Sequence, residues 1–129
     1  MNRDEALNGI RPEIATELIG VKNEKEQFMH ETLRPVLKFQ HQLIVQFLKK
    51  EQNLPLESLN GKQRSNAEKR ALITDFLQKN NKLKATLLGL TIGMFHQSEF
   101  EMYFLHRKAI DKRIIEMIIT RFLSEFIKD

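Results

Sequence analysis

Leu7, Ile10, Ile14 and Leu18 recur at spacings of three, four and four, which makes one stripe of a short amphipathic helix. Gly9 and Pro12 interrupt the stripe, so a kinked helix or two short ones are expected, closed by Gly20. Asn23 followed by Glu26 has capping-box spacing, and Glu24 adds negative charge to the first turn of the next helix. From there Phe28 or Met29, Leu33, Val36, Leu37, Leu43, Ile44, Phe47 and Leu48 mark one face through to Lys50. Pro35 removes a backbone donor and disfavours helical geometry at Arg34, which predicts a kink or a restart with Thr32 as its cap. Asn53-Leu54-Pro55 ends this helix and Asn60-Gly61 marks a turn. Ser65 with Glu68 is another capping pair, leading into Ala71, Leu72, Phe76 and Leu77 and a stop near Asn80-Asn81.

The stretch from about 82 to 96 differs in kind. Leu87, Leu88, Leu90, Ile92, Met94 and Phe95 point all round a helix, which predicts a central, surrounded one. Ala85, Gly89 and Gly93 form a small-residue stripe suited to a close helix crossing. Ser98 and Glu101 predict a cap for a short helix that carries Phe100, Tyr103 and Phe104 inward. A last helix, about 108 to 127, continues through Ile110, Ile114, Met117, Ile118, Phe122 and Phe126. It also carries Ile115, Ile119, Leu123 and Ile127, more than one core-facing stripe needs. Two readings follow: a symmetric dimer through Ile115, Ile119 and Phe126, or a helix packed on two sides within the monomer. The pattern as a whole predicts an all-α fold, a compact bundle of five or six helices in a single domain spanning 1–129.

Composition narrows the chemistry. No cysteine is present, which excludes disulfide scaffolds, thiolate metal sites and a cysteine nucleophile. Five glycines and three prolines are too few turns for a many-stranded sandwich or barrel. The longest apolar run, Ala85 to Phe95, is 11 residues against the roughly 20 a membrane helix needs, and no secretory signal is visible at the N-terminus. A cytoplasmic protein with no membrane role is expected. Net charge is +4, unevenly spread: residues 1–31 hold 4 basic and 7 acidic side chains, whereas residues 32–84 hold 11 and 4. Lys62, Arg64, Lys69, Arg70, Lys79, Lys82 and Lys84 form the candidate basic surface. Such a surface suits weak, nonspecific phosphate contact. The helix that follows is too apolar to read bases, so sequence-specific nucleic-acid binding is not expected.

None of His30, His41, His96 and His106 falls in a zinc or di-iron spacing, although His96 and Glu99 sit three apart at a helix start. No phosphate loop, nucleophile elbow or dinucleotide motif is present, and neither a cofactor nor a metal is expected. Gln40 stands at a core-facing position, where a buried amide needs partners. Thr91, His96 and Tyr103 are available, which predicts either a polar network fixing helix register or a small pocket lined by these four residues.

Glu31-Thr32-Leu33-Arg34-Pro35 and Thr91-Ile92-Gly93-Met94-Phe95, with a tyrosine soon after, resemble a family of short, uncharacterised bacterial helical proteins. The resemblance covers most of the chain. Members sometimes carry a "glyoxalase" label, but that fold uses strand-borne metal ligands and no strand is predicted here. The sequence leads to a non-enzymatic interaction module, a homodimer with a further protein or small-molecule partner. The alternatives are a small-molecule-binding protein or enzyme around Gln40, Thr91, His96 and Tyr103, and a weak nucleic-acid binder through residues 62–84.

Overall fold

The computed structural model describes residues 2–11, 24–61 and 63–126. It is 80% helical, with seven helices and, among the described residues, no strand. These are α1 (Arg3–Ile10), a long α2, α3 (Leu56–Asn60), α4 (Asn66–Gln78), α5 (Asn81–Ile92), α6 (Gln97–Leu105) and α7 (Arg107–Leu123). The all-α bundle is therefore as the periodicity predicts, with one helix more than the higher count expected. No helix among the described residues is long and apolar enough to cross a membrane. The expectations resting on Pro12, Ile14, Leu18, Gly20, Asn23, Lys62 and Ile127 lie outside the described residues.

Polar side chains start the helices. Asn2 accepts from the Glu5 N–H at 2.9 Å to open α1, and Asn80 accepts from Leu83 at 3.1 Å to open α5. The predicted Ser65–Glu68 capping box closes in both directions, at 3.1 and 3.2 Å. The predicted Ser98–Glu101 cap does not form. The cap of α6 is His96, whose N–H donates to Glu99 Oε1 at 2.7 Å.

Pro35 does not break α2. The helix runs as Glu24–Phe28, a π-helical stretch Met29–Leu33, and Arg34–Lys49. The wider turn ahead of the proline accommodates a ring that would otherwise crowd the Glu31 carbonyl, and Leu33 stays helical at φ −67°, ψ −43°. Thr32 is thus no cap. It is buried and turned toward α6.

The core gathers Leu33, Val36, Leu37 and Leu48 of α2, Ile73 and Leu77 of α4, Leu87 of α5 and Ile114, Ile118 and Phe122 of α7. Helix α5 packs against α2, α4 and α7, which is the central place predicted for it, but its fourth side is open. Ala85, Gly89 and Gly93 lie on that open side, and a Cβ on Gly89 would meet nothing within 4 Å. The small-residue stripe is therefore not a helix crossing among the described residues.

Three further inside–outside expectations are corrected. In α2, Leu43 and Phe47 are 49% and 38% exposed, because Ile44 and Leu48, about 100° further round, and Val45 beyond them take the core side. In α6, Tyr103 is buried, while Phe100 and Phe104 stand 46% and 61% exposed. Glu99 holds the inward position one turn before Tyr103, which leaves the two phenylalanines on the flank. In α7, Ile119 and Phe126 are 3% and 4% exposed and belong to the monomer core, with Ile115 packed partly against it. The helix is covered on two sides, by α4 and α5 as well as α2. That contradicts a dimer interface through Ile115, Ile119 and Phe126.

Candidate functional site

The four residues expected to share a network or pocket do not meet through any hydrogen bond. Gln40 Nε2 donates to the Leu90 carbonyl at 2.8 Å, satisfying one of the last carbonyls of α5, which have no acceptor role inside the helix. Thr91 Oγ1 donates to the Leu87 carbonyl one turn back, at 3.0 Å. Tyr103 donates its hydroxyl proton to Asp111 Oδ1 at 2.6 Å, and His96 uses its backbone N–H on Glu99. Gln40, Thr91 and Tyr103 are each satisfied separately, while His96 Nε2 is buried without a hydrogen-bond partner among the described residues. The Gln40 bond does tie α2 to α5, the register-fixing role expected of it.

Burial pushes the Tyr103 phenol up to about 12, helped by the Asp111 carboxylate that accepts its proton and opposed by Arg107. The neutral phenol is the form the fold favours. Its contribution to stability is complete below the unfolded value of 10.0 and is lost as pH rises toward 12. Tyr103→Phe is therefore expected to flatten the fall in urea midpoint between pH 9 and 11.5, roughly, relative to the wild type. Parallel curves for the two proteins would rule this coupling out.

A different polar cluster holds the fold's N-terminal part. Glu99 Oε1 accepts from Arg11 Nη1 at 2.6 Å and from the His96 N–H at 2.7 Å. Its Oε2 accepts from Arg11 Nη2 at 3.1 Å and from Thr32 Oγ1 at 2.7 Å. Arg3 donates to the Phe95 and Gly93 carbonyls at 2.5 and 2.6 Å, and the Gln97 N–H donates to Asp4. Both ends of α1 are thus clamped onto the turn between α5 and α6 and the first turn of α6. Burial raises the affinity of Glu99 for a proton, but the Arg11, His96 and Thr32 donors outweigh it and hold the carboxyl below the usual range. A carboxylate with four donors already in place is an anchor for helices. It has no lone pair poised for a substrate proton. Nothing short-range in the sequence joins Arg11 or Thr32 to Glu99; only the His96–Glu99 spacing signals the cluster.

Among the described residues no group of three His, Asp or Glu side chains is placed to hold a metal ion. The basic residues do not make one face either. Lys69 is buried and donates to the Phe126 carbonyl at 3.1 Å, which closes the chain just beyond α7. Lys79 pairs with Asp75 at 3.0 Å, and Arg70 donates to Thr120 Oγ1 at 2.9 Å. Arg64 and Lys82 are exposed, whereas Lys84 is half-buried.

Besides the exposed Phe100, Phe104 and Leu105 of α6, two surface features stand out. One is an apolar stripe on α2, where Phe39, Leu43 and Phe47, four apart, are 45%, 49% and 38% exposed. The other is a groove of about 680 Å³ between α4, α5 and α7, lined by Leu77, Leu88, Ile115 and Ile119. Two sets of residues flagged separately in the sequence, the surplus isoleucines of α7 and the basic Arg70 and Lys84, converge on it. No family model, curated protein or solved structure matches the chain.

Proposed function

We propose that the chain is a non-enzymatic interaction module that works as a homodimer, in the bacterial cytoplasm, pairing through the outer face of α2. The observation that carries this reading is the Phe39–Leu43–Phe47 stripe. Three large apolar side chains repeat every four residues on the water side of an otherwise well-buried helix. Scattered exposed leucines need no explanation, but an aligned stripe of two phenylalanines and a leucine does. Its neighbours Gln42 and Gln46 are exposed and uncharged, so a second copy meets the stripe without like charges opposing each other. The saturated carboxylate at Glu99 supports a binding rather than a catalytic role.

Leu43→Glu combined with Phe47→Glu tests the reading. Both residues are exposed in the monomer, so the variant keeps its helical circular dichroism. Sedimentation equilibrium is expected to give a dimer for the wild type and a monomer for the variant, with self-affinity reduced at least about 100-fold, or ~3 kcal/mol. A wild type that sediments as a monomer at high micromolar concentration sinks the proposal.

A further inference from the structure

We infer that the groove between α4, α5 and α7 binds a single-chain amphiphile with an anionic head, of the acyl carboxylate class. This site is separate from the α2 stripe and stands whether or not the chain dimerises. Its volume of about 680 Å³ lies within the range of small-molecule sites, roughly 300–1,000 Å³.

The sequence of α7 gives the groove its polarity. Lys108, Lys112, Ile115 and Ile119 follow at spacings of four, three and four, so they share one stripe of the helix and all line the groove. The half of the stripe nearer the start of α7 is cationic and the half nearer its end is apolar. From α5, Lys84 and Leu88, one turn apart, add a second ammonium and a second apolar side chain. Leu77 of α4 and Ile119 lie beneath the floor, almost wholly buried in the core.

The acids at the groove do not neutralise these lysines. Asp111 accepts the Tyr103 hydroxyl at 2.6 Å and has Arg107 at 4.0 Å, while Glu116 lies 3.6 Å from Arg113. Lys84, Lys108 and Lys112 have no carboxylate partner among the described residues. An anion entering the groove meets three ammonium groups that have no carboxylate partner, and a hydrocarbon tail has the half-buried Leu88 and Ile115 to cover. A free phosphate or a nucleic-acid backbone would use the lysines but leave the floor wet. A neutral or cationic amphiphile would use the floor and leave the lysines unpaired. The combination selects an anion with a tail.

Amide chemical shifts of the full chain, followed while dodecanoate is added below its micelle concentration, test the inference. Shifts are expected to concentrate at Lys84, Leu88, Lys112 and Ile115, with dodecyltrimethylammonium and inorganic phosphate binding at least about tenfold more weakly. Lys84→Glu with Lys112→Glu should weaken dodecanoate by about tenfold or more, since it removes two charge-assisted contacts at exposed or half-buried positions. Ile115→Trp, which fills the floor, should also block it. The inference is overturned if the cationic amphiphile or phosphate binds as well as dodecanoate. It is equally overturned if the charge-reversed variant binds like the wild type, or if the shifts fall on the Phe39–Phe47 stripe.

Discussion

Phe95→Ala is expected to unfold about 3–5 kcal/mol more readily than the wild type. Phe95 is 1% exposed and sits where three segments meet. Its ring packs edge-on against Phe28 of α2 at 5.5 Å between centroids and against Tyr103 of α6 at 5.8 Å. Truncation removes both contacts and opens a cavity that no flexible side chain stands ready to fill. The same residue offers its carbonyl to Arg3, so a shifted backbone there also loosens α1. Urea denaturation followed by circular dichroism measures the cost. Phe95→Leu, which retains much of the volume, should lose clearly less. A cost below about 1 kcal/mol for the alanine variant would show that the junction of α2, α5 and α6 contributes little to cooperativity.

Arg11→Met is expected to cost nearly as much at neutral pH, about 3–5 kcal/mol, because it strands Glu99. The two side chains are 8% and 15% exposed, so water recovers only part of the lost charge pairing. The deficit should depend on pH with a definite sign. In the wild type the carboxyl of Glu99 is held below 4.5, its value in the unfolded chain. Its contribution is therefore present above that pH and lost as pH falls through the lower, folded value. Acidification destabilises the wild type in this window, while the Arg11→Met variant, already without the pair, changes less and the gap closes. Arg11→Met combined with Glu99→Leu should recover part of the loss, since it removes both charges together but leaves the Thr32 hydroxyl and the His96 N–H without their acceptor. A gap that stays constant from neutral pH to about 3 would show that Arg11 acts through packing alone.

The helices were legible because their signals are local. The Ser65–Glu68 cap, the stop near Asn80-Asn81 and the four-residue steps from Ile110 to Phe122 are each read within a turn or two of chain. Which of two adjacent stripes faces inward was less legible. Leu43 and Ile44, or Phe100 and Tyr103, are equally apolar, and the choice depends on which neighbouring helix arrives. Lys69 was misplaced for the opposite reason: lysine belongs on the surface by type, and here a carbonyl at the end of α7 draws its ammonium inward. The Arg11–Glu99 pair spans 88 residues, so no window along the sequence contains it. The groove sits between these extremes. Lys84, Ile115 and Ile119 each attract notice alone, under two unrelated headings, and only the packing of α4, α5 and α7 joins them.

Tyr103 has a consequence of another kind. The chain has one tyrosine and no tryptophan, so all of its intrinsic fluorescence comes from a single ring. That ring touches Phe95 on one side and donates its proton to Asp111, a residue on the wall of the α4–α5–α7 groove. A phenol becomes a much stronger acid in its excited state, and a carboxylate at 2.6 Å is positioned to take the proton and quench the emission. Light emitted by this protein therefore reports the distance between two atoms. It brightens when α6 parts from α7, and it gives an optical view of the groove wall without any added label.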